Sequence, residues 1–234
     1  MTIRWESTEV DGKTMRVYVG VPDHPGPLPR ILIAQHGPGI DAQMQDVVHR
    51  LYRQGYIAAA PELYYRRPDA DLKTRVSLLQ DEEIIADLNA SVSLINKVAP
   101  DSSGPLGIVG FCMGGRVSYL AAAEISELKA AVVFYGGGIM QARGNGPSPF
   151  ERSAKINCPI IAFTGADDTN PHPDDMKKID AELTKLNKWH EFHLYQNTGH
   201  AFQNFNESRY KERASRGSWA EMLAFFDQQF TRPG

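Results

Sequence analysis

The pattern of apolar and polar positions changes character once along the chain. At the start, TIRWESTEV and TMRVYVGVP flank Asp11-Gly12, a dipeptide suited to a two-residue turn, and the apolar positions of the second segment alternate. This predicts an antiparallel hairpin. From residue 31 onward, short apolar runs alternate with longer amphipathic ones. The runs ILIAQ (31–35), YIAAAP (56–61), PLGIVG (105–110), AAVVFYG (130–136), PIIAFTG (159–165) and HEFHLY (190–195) read as strands. The stretches near 42–54, 81–98, 114–124, 173–187 and 218–230 read as helices. In the second of these, Ile84, Ile85, Leu88, Val92, Ile95 and Val98 recur at helical spacing, so one face packs on a sheet. Strand and helix in alternation predict an α/β fold, a mostly parallel twisted sheet flanked by helices on both faces.

Two segments fit no regular element: PELYYRRPDADLKTR (61–75) and GGGIMQARGNGPSPFERSAK (136–155), rich in Gly, Pro and Arg. Long loops in a compact domain are either functional or plain surface insertions. With 234 residues, 42% of them hydrophobic, the chain can build one sizeable core, and a single domain over 1–234 is expected.

Charge narrows the partners. The net charge is −3 with basic residues scattered along the chain, so the electrostatic footprint of nucleic-acid binding is missing. The first residues carry charges and no apolar h-region, and no run approaches the length of a membrane span. A cytoplasmic monomer or small homo-oligomer that acts on a small molecule is the expectation. Cys112 and Cys158 are too few for a disulfide framework and lack metal-finger spacing. His190 and His193, inside a strand, do not make a ligand set, and TNPHPDD reads as a helix start with Asp174 as its cap, so no metal is expected.

Each thiol then needs its own explanation. GFCMGGR (110–116) follows a buried strand and opens a small-residue helix, the context of a nucleophile elbow. A nucleophile lifted on so tight a turn forces close backbone approaches, which is why Gly110 and Gly114 stand where a Cβ would collide. The free N–H groups at the start of the helix favour thiolate over thiol, and the Met113 N–H is available to a developing oxyanion. Cys158, in NCPII, has no glycine turn and reads as structural.

A nucleophile of this kind needs a base oriented by an acid, in the chain order nucleophile, acid, histidine. PIIAFTG ends in GADD, which offers Asp167 and Asp168; Asp168, three residues past Gly165, is the better placed. HEFHLY is followed by QNTGH, which supplies His200.

Cys112 in GFCMGGR, Asp168 in GADD and His200 in TGHAF, with AQHGPG after the third strand and PELYYR after the fourth, resemble the dienelactone hydrolase family over about residues 14–230. The cysteine elbow is the most specific part, since most α/β-hydrolases place serine there. The resemblance implies an α/β-hydrolase fold and a carboxymethylenebutenolidase-like hydrolase of an ester or lactone that needs no cofactor. It also implies a Cys112-His200-Asp168 triad and an oxyanion held by the N–H groups of Met113 and of the loop at His36-Gly37.

Two departures stand out. The family's best-known members carry a glutamate where this chain has His36, so His36 is expected at the site in a different role in thiol activation. Members that hydrolyse dienelactone carry an arginine shortly after the triad histidine, as in GHxFxR, where this chain reads GHAFQN with Asn204. Losing that clamp weakens carboxylate recognition. Arg66, Arg67, Arg75, Arg143 and Arg209 are the arginines available to replace it, and Tyr64 and Tyr65 are candidate substrate contacts. A broad-range carboxylesterase or thioesterase is the alternative activity. A non-catalytic binding module on the same fold is disfavoured by the intact Cys112, Asp168 and His200.

Overall fold

A computed structural model describes residues 2–24, 26–100, 102–206 and 208–231. Its frame is one eight-stranded sheet. The first two strands, β1 (Thr2–Val10) and β2 (Lys13–Val21), form the hairpin. Asp11 and Gly12 both adopt positive φ (50° and 73°) at its turn, the twist that a right-handed hairpin needs.

The remaining strands are β3 (Arg30–Ala34), β4 (Ile57–Pro61), β5 (Leu106–Phe111), β6 (Leu128–Phe134), β7 (Ile160–Gly165) and β8 (His190–Tyr195). They lie in the order β1-β2-β4-β3-β5-β6-β7-β8, with β2 antiparallel to β4 and every pair from β4 to β8 parallel. Every residue of β3, β4, β5 and β7 is buried, which is why those segments read as continuous apolar runs.

Helices cover both faces. On one side α3 (Asp81–Val98) sets Ile84, Leu88, Val92 and Ile95 against the sheet, beside α4 (Met113–Glu124) and α5 (Pro173–Lys185). On the other, α1 (Ala42–Arg53) and α6 (Glu212–Thr231) bury Met44, Val48, Leu51, Met222 and Phe226. Each large side chain sequestered this way contributes about 1.5–3 kcal/mol. Among the described residues no helix is long and apolar enough to cross a membrane.

The structure departs from the sequence expectations at three places. The 61–75 segment is not loop throughout, because its end enters the short helix α2 (Leu72–Leu78), capped by the Asp71 side chain. The last helix begins at Glu212, six residues before the apolar pattern starts. The cap of α5 is His172, whose Nδ1 accepts from the Asp174 N–H, and not Asp174. Pro173 at the first helical position explains the shift, since it holds the preceding residue extended and leaves Asp174 inside the first turn.

One buried ion pair fixes the ground around the β5–α4 junction. Arg116, fully buried on α4, donates Nη1 to Asp81 Oδ1 at 2.5 Å and Nη2 to Asp81 Oδ2 at 2.9 Å. It also donates to the carbonyls of Gly138 (3.0 Å) and Gln141 (2.7 Å). A single guanidinium thereby ties α4, the start of α3 and the 136–143 loop together.

Candidate active site

Cys112 occupies the one residue between β5 and α4, with φ 57° and ψ −117°. A positive φ is strained for a residue with a side chain, and it persists because the surroundings hold it. Cys112 N donates to Phe134 O on the neighbouring strand (3.0 Å), and Cys112 O accepts from Gly115 N (2.9 Å). The glycines are there for contact. A Cβ on Gly110 would run into the Gly114 carbonyl, and one on Gly114 into the carbonyls of Ala34 and Gln35. The sulfur is thereby brought within hydrogen-bonding reach of the backbone N–H of Met113 and of Gly37, which follows β3.

The loops after β7 and β8 bring up the other two groups. They are stitched together where Asp167 N donates to Thr198 O (2.9 Å). Beside that stitch His200 Nδ1 lies 2.9 Å from Asp168 Oδ2, with the carboxylate fully buried. Asp168 Oδ1 accepts from Asn170 N (2.9 Å), so both oxygens are engaged. With Nδ1 committed to Asp168, Nε2 is the ring atom left for the Cys112 sulfur, to which His200 also hydrogen-bonds. Tyr135, just past β6, packs edge-on against the imidazole at 5.0 Å between ring centres.

The electrostatics follow from these contacts. Burial alone would raise the Cys112 thiol, but the His200 hydrogen bond and charge, with the Met113 and Gly37 amides, outweigh it and hold the thiol below its ordinary range. Burial likewise would lower His200, yet its bonds to Asp168 and Cys112 win and push it up to about 9. The site therefore favours a thiolate–imidazolium pair, present from the depressed cysteine value up to about 9. Cys158, buried with no such partner, is pushed up to about 12. Iodoacetamide labelling followed by peptide mass spectrometry is expected to modify Cys112 much faster than Cys158 near neutral pH; equal slow labelling of both would show that the thiol is not activated.

The other residues singled out from sequence fall in different places. His36 is buried with Nε2 2.9 Å from Asp41 Oδ1, at a poor hydrogen-bond angle, so its ring is turned to the cap of α1. The segment's contribution to the sulfur is the Gly37 amide. Tyr64 is buried and donates its hydroxyl to Gly37 O at 2.8 Å, which holds that turn. Tyr65 donates to Asp87 Oδ1 (2.6 Å) on α3, where Arg66 bonds the same oxygen. Asn204 is buried and accepts from Asn206 N (3.1 Å) in a local turn. Tyr135 was missed because it sits at the end of an apolar run that reads simply as strand.

An elbow on the fifth strand of a mostly parallel, helix-covered sheet, with the acid and histidine on the loops after the seventh and eighth, defines an α/β-hydrolase. Comparison with known proteins narrows this. The model of the dienelactone hydrolase family matches residues 15–230. A candidate carboxymethylenebutenolidase of Salmonella typhimurium is 33% identical over 218 residues, covering 89% of this chain and 80% of its own. A candidate 2-oxo-3-(5-oxofuran-2-ylidene)propanoate lactonase of Bradyrhizobium is 29% identical, over 94% of this chain and 92% of its own. Among solved structures, a candidate dienelactone hydrolase from Klebsiella pneumoniae superposes with a TM-score of 0.88 at 32% identity, over 97% of this chain and 100% of its own. The chain is a hydrolase, and it belongs to the dienelactone hydrolase family.

Proposed function

We propose that the protein hydrolyses a small carboxylic ester or lactone through an acyl-enzyme on Cys112. The observation that carries this reading is the line of hydrogen bonds Asp168–His200–Cys112, ending on a sulfur that also faces the Met113 and Gly37 amides. The thiolate attacks the carbonyl carbon, and the carbonyl electron pair moves onto oxygen, which takes over the two amides as an oxyanion hole. As the intermediate collapses, the C–O bond to the leaving oxygen breaks and the His200 imidazolium gives that oxygen its proton. A thioester remains on Cys112; in a lactone the released hydroxyl stays attached to the acyl chain, so the ring has opened. His200, now neutral and still oriented by Asp168, takes a proton from water as that water attacks the thioester. Expulsion of the thiolate restores the ion pair.

Steady-state assays with p-nitrophenyl acetate and a simple butenolide test the reading, with acid-quenched samples analysed by mass spectrometry. Turnover with an acyl adduct on the Cys112 peptide is expected. Failure to turn over any ester or lactone, or an adduct elsewhere, would refute it.

A further inference from the structure

We propose that Tyr64 is a positioning residue for the oxyanion hole: its hydroxyl fixes the Gly37 turn so that the Gly37 N–H faces the carbonyl under attack. The role rests on Cys112 being the nucleophile. Placed after β4, where a substrate contact is expected, Tyr64 points instead at the turn that follows β3. It is 6% exposed and donates to Gly37 O at 2.8 Å. Burial pushes the hydroxyl up to about 12, so the proton that makes this bond stays in place through neutral pH.

The turn needs such a hold. Gly37 has no side chain, and a Cβ added there would meet nothing within 4 Å, so neither a substituent nor a packed wall limits its φ and ψ. Its two peptide planes must be fixed from outside. The plane before it is held at the His36 carbonyl, which accepts from Gly39 N at 3.1 Å. Across a trans peptide the N–H points away from the C=O, so that bond turns the Gly37 N–H to the opposite side. The plane after it runs into Pro38, which has no N–H. Gly37 O is therefore the only hydrogen-bonding group on that plane, and Tyr64 holds it.

The elbow lies directly against this segment. A Cβ on Gly114, in the first turn of α4, would stand 2.1 Å from Ala34 O and 2.5 Å from Gln35 O, two residues before Gly37. Tyr64 is itself held in register with the turn. Its ring lies beside Gly39, where an added Cβ would be 3.8 Å away. The neighbouring strands β3 and β4 are tied at their ends by Gln35, fully buried, whose Oε1 accepts from Leu63 N at 3.2 Å. That bond joins the residue just before the donor to a residue two before its acceptor. The hydroxyl and the Gly37 carbonyl are thus carried by two strand ends that cannot slide past each other.

Tyr64→Phe deletes only the oxygen and tests this without knowledge of the natural substrate. Acylation and deacylation both pass through a tetrahedral oxyanion, so both slow together. With p-nitrophenyl acetate, kcat is expected to fall about tenfold while KM stays within about twofold, a smaller loss than deleting an oxyanion donor outright. Iodoacetamide supplies the control. The thiolate displaces iodide at a saturated carbon and no oxyanion forms, so the rate of Cys112 alkylation in the variant is expected to match that of the wild type. Wild-type kcat in Tyr64→Phe overturns the proposal. So does a rise in KM at unchanged kcat, which would make Tyr64 a substrate contact, or an equal fall in the alkylation rate, which would place its effect on the thiol. Each of these outcomes leaves the hydrolase reading standing, whereas wild-type protein that turns over no ester removes both.

Discussion

Replacing Cys112 by alanine is expected to abolish ester hydrolysis, lowering kcat/KM by at least about a thousandfold, while Cys158→Ala keeps most of the activity. The contrast is set by position. Cys112 sits where three sources of positive potential converge, the His200 ring and two backbone amides, and each is offered to the sulfur itself. Cys158 lies at the foot of β7, 6% exposed, with nothing but burial acting on it. Its substitution removes a small buried group and costs about 1 kcal/mol of stability. Steady-state kinetics on the two purified variants separate the cases. Wild-type activity in Cys112→Ala would mean that water attacks the carbonyl directly and that the elbow has another purpose.

The second large effect falls on stability. Arg116→Met is expected to destabilise the fold by about 3–5 kcal/mol, because it strands the Asp81 carboxylate in the interior. This guanidinium donates four hydrogen bonds, two to Asp81 and one each to the carbonyls of Gly138 and Gln141. Methionine fills part of the volume and satisfies none of them. Urea denaturation gives the midpoint shift. The double variant Arg116→Met/Asp81→Leu is expected to recover part of the loss, since it no longer buries a lone charge. Full destabilisation in the double variant would place the cost in the two loop carbonyls instead.

The order and kind of the elements were legible because β3 to β7 are buried runs and α3 carries its apolar residues on one face. The site's chain order was legible too: Cys112, Asp168 and His200 follow β5, β7 and β8, and they meet within hydrogen bonds of one another. What periodicity could not show was helix without burial. No residue of α2 is fully buried, and the first turn of α6 is polar, so neither gives an apolar signal. Nor could spacing tell where a side chain turns. His36 faces Asp41 on the cap of α1, and Tyr65 faces Asp87 on α3, 22 residues away, a pairing that exists only once the helix has packed on the sheet.

The sheet order has one more effect, on how activity is lost. Cys112 hangs from β5, flanked by strands on both sides, whereas His200 hangs from β8, which has a neighbour on one side only. An edge strand opens at lower free energy than a central one, so mild denaturant or warming frays β8 before β5. His200 then leaves while the Cys112 turn stays folded, and the sulfur loses the imidazole bonded to it. On the proposed mechanism, inactivation is therefore expected to precede the global unfolding transition, with the imidazole lost before the elbow.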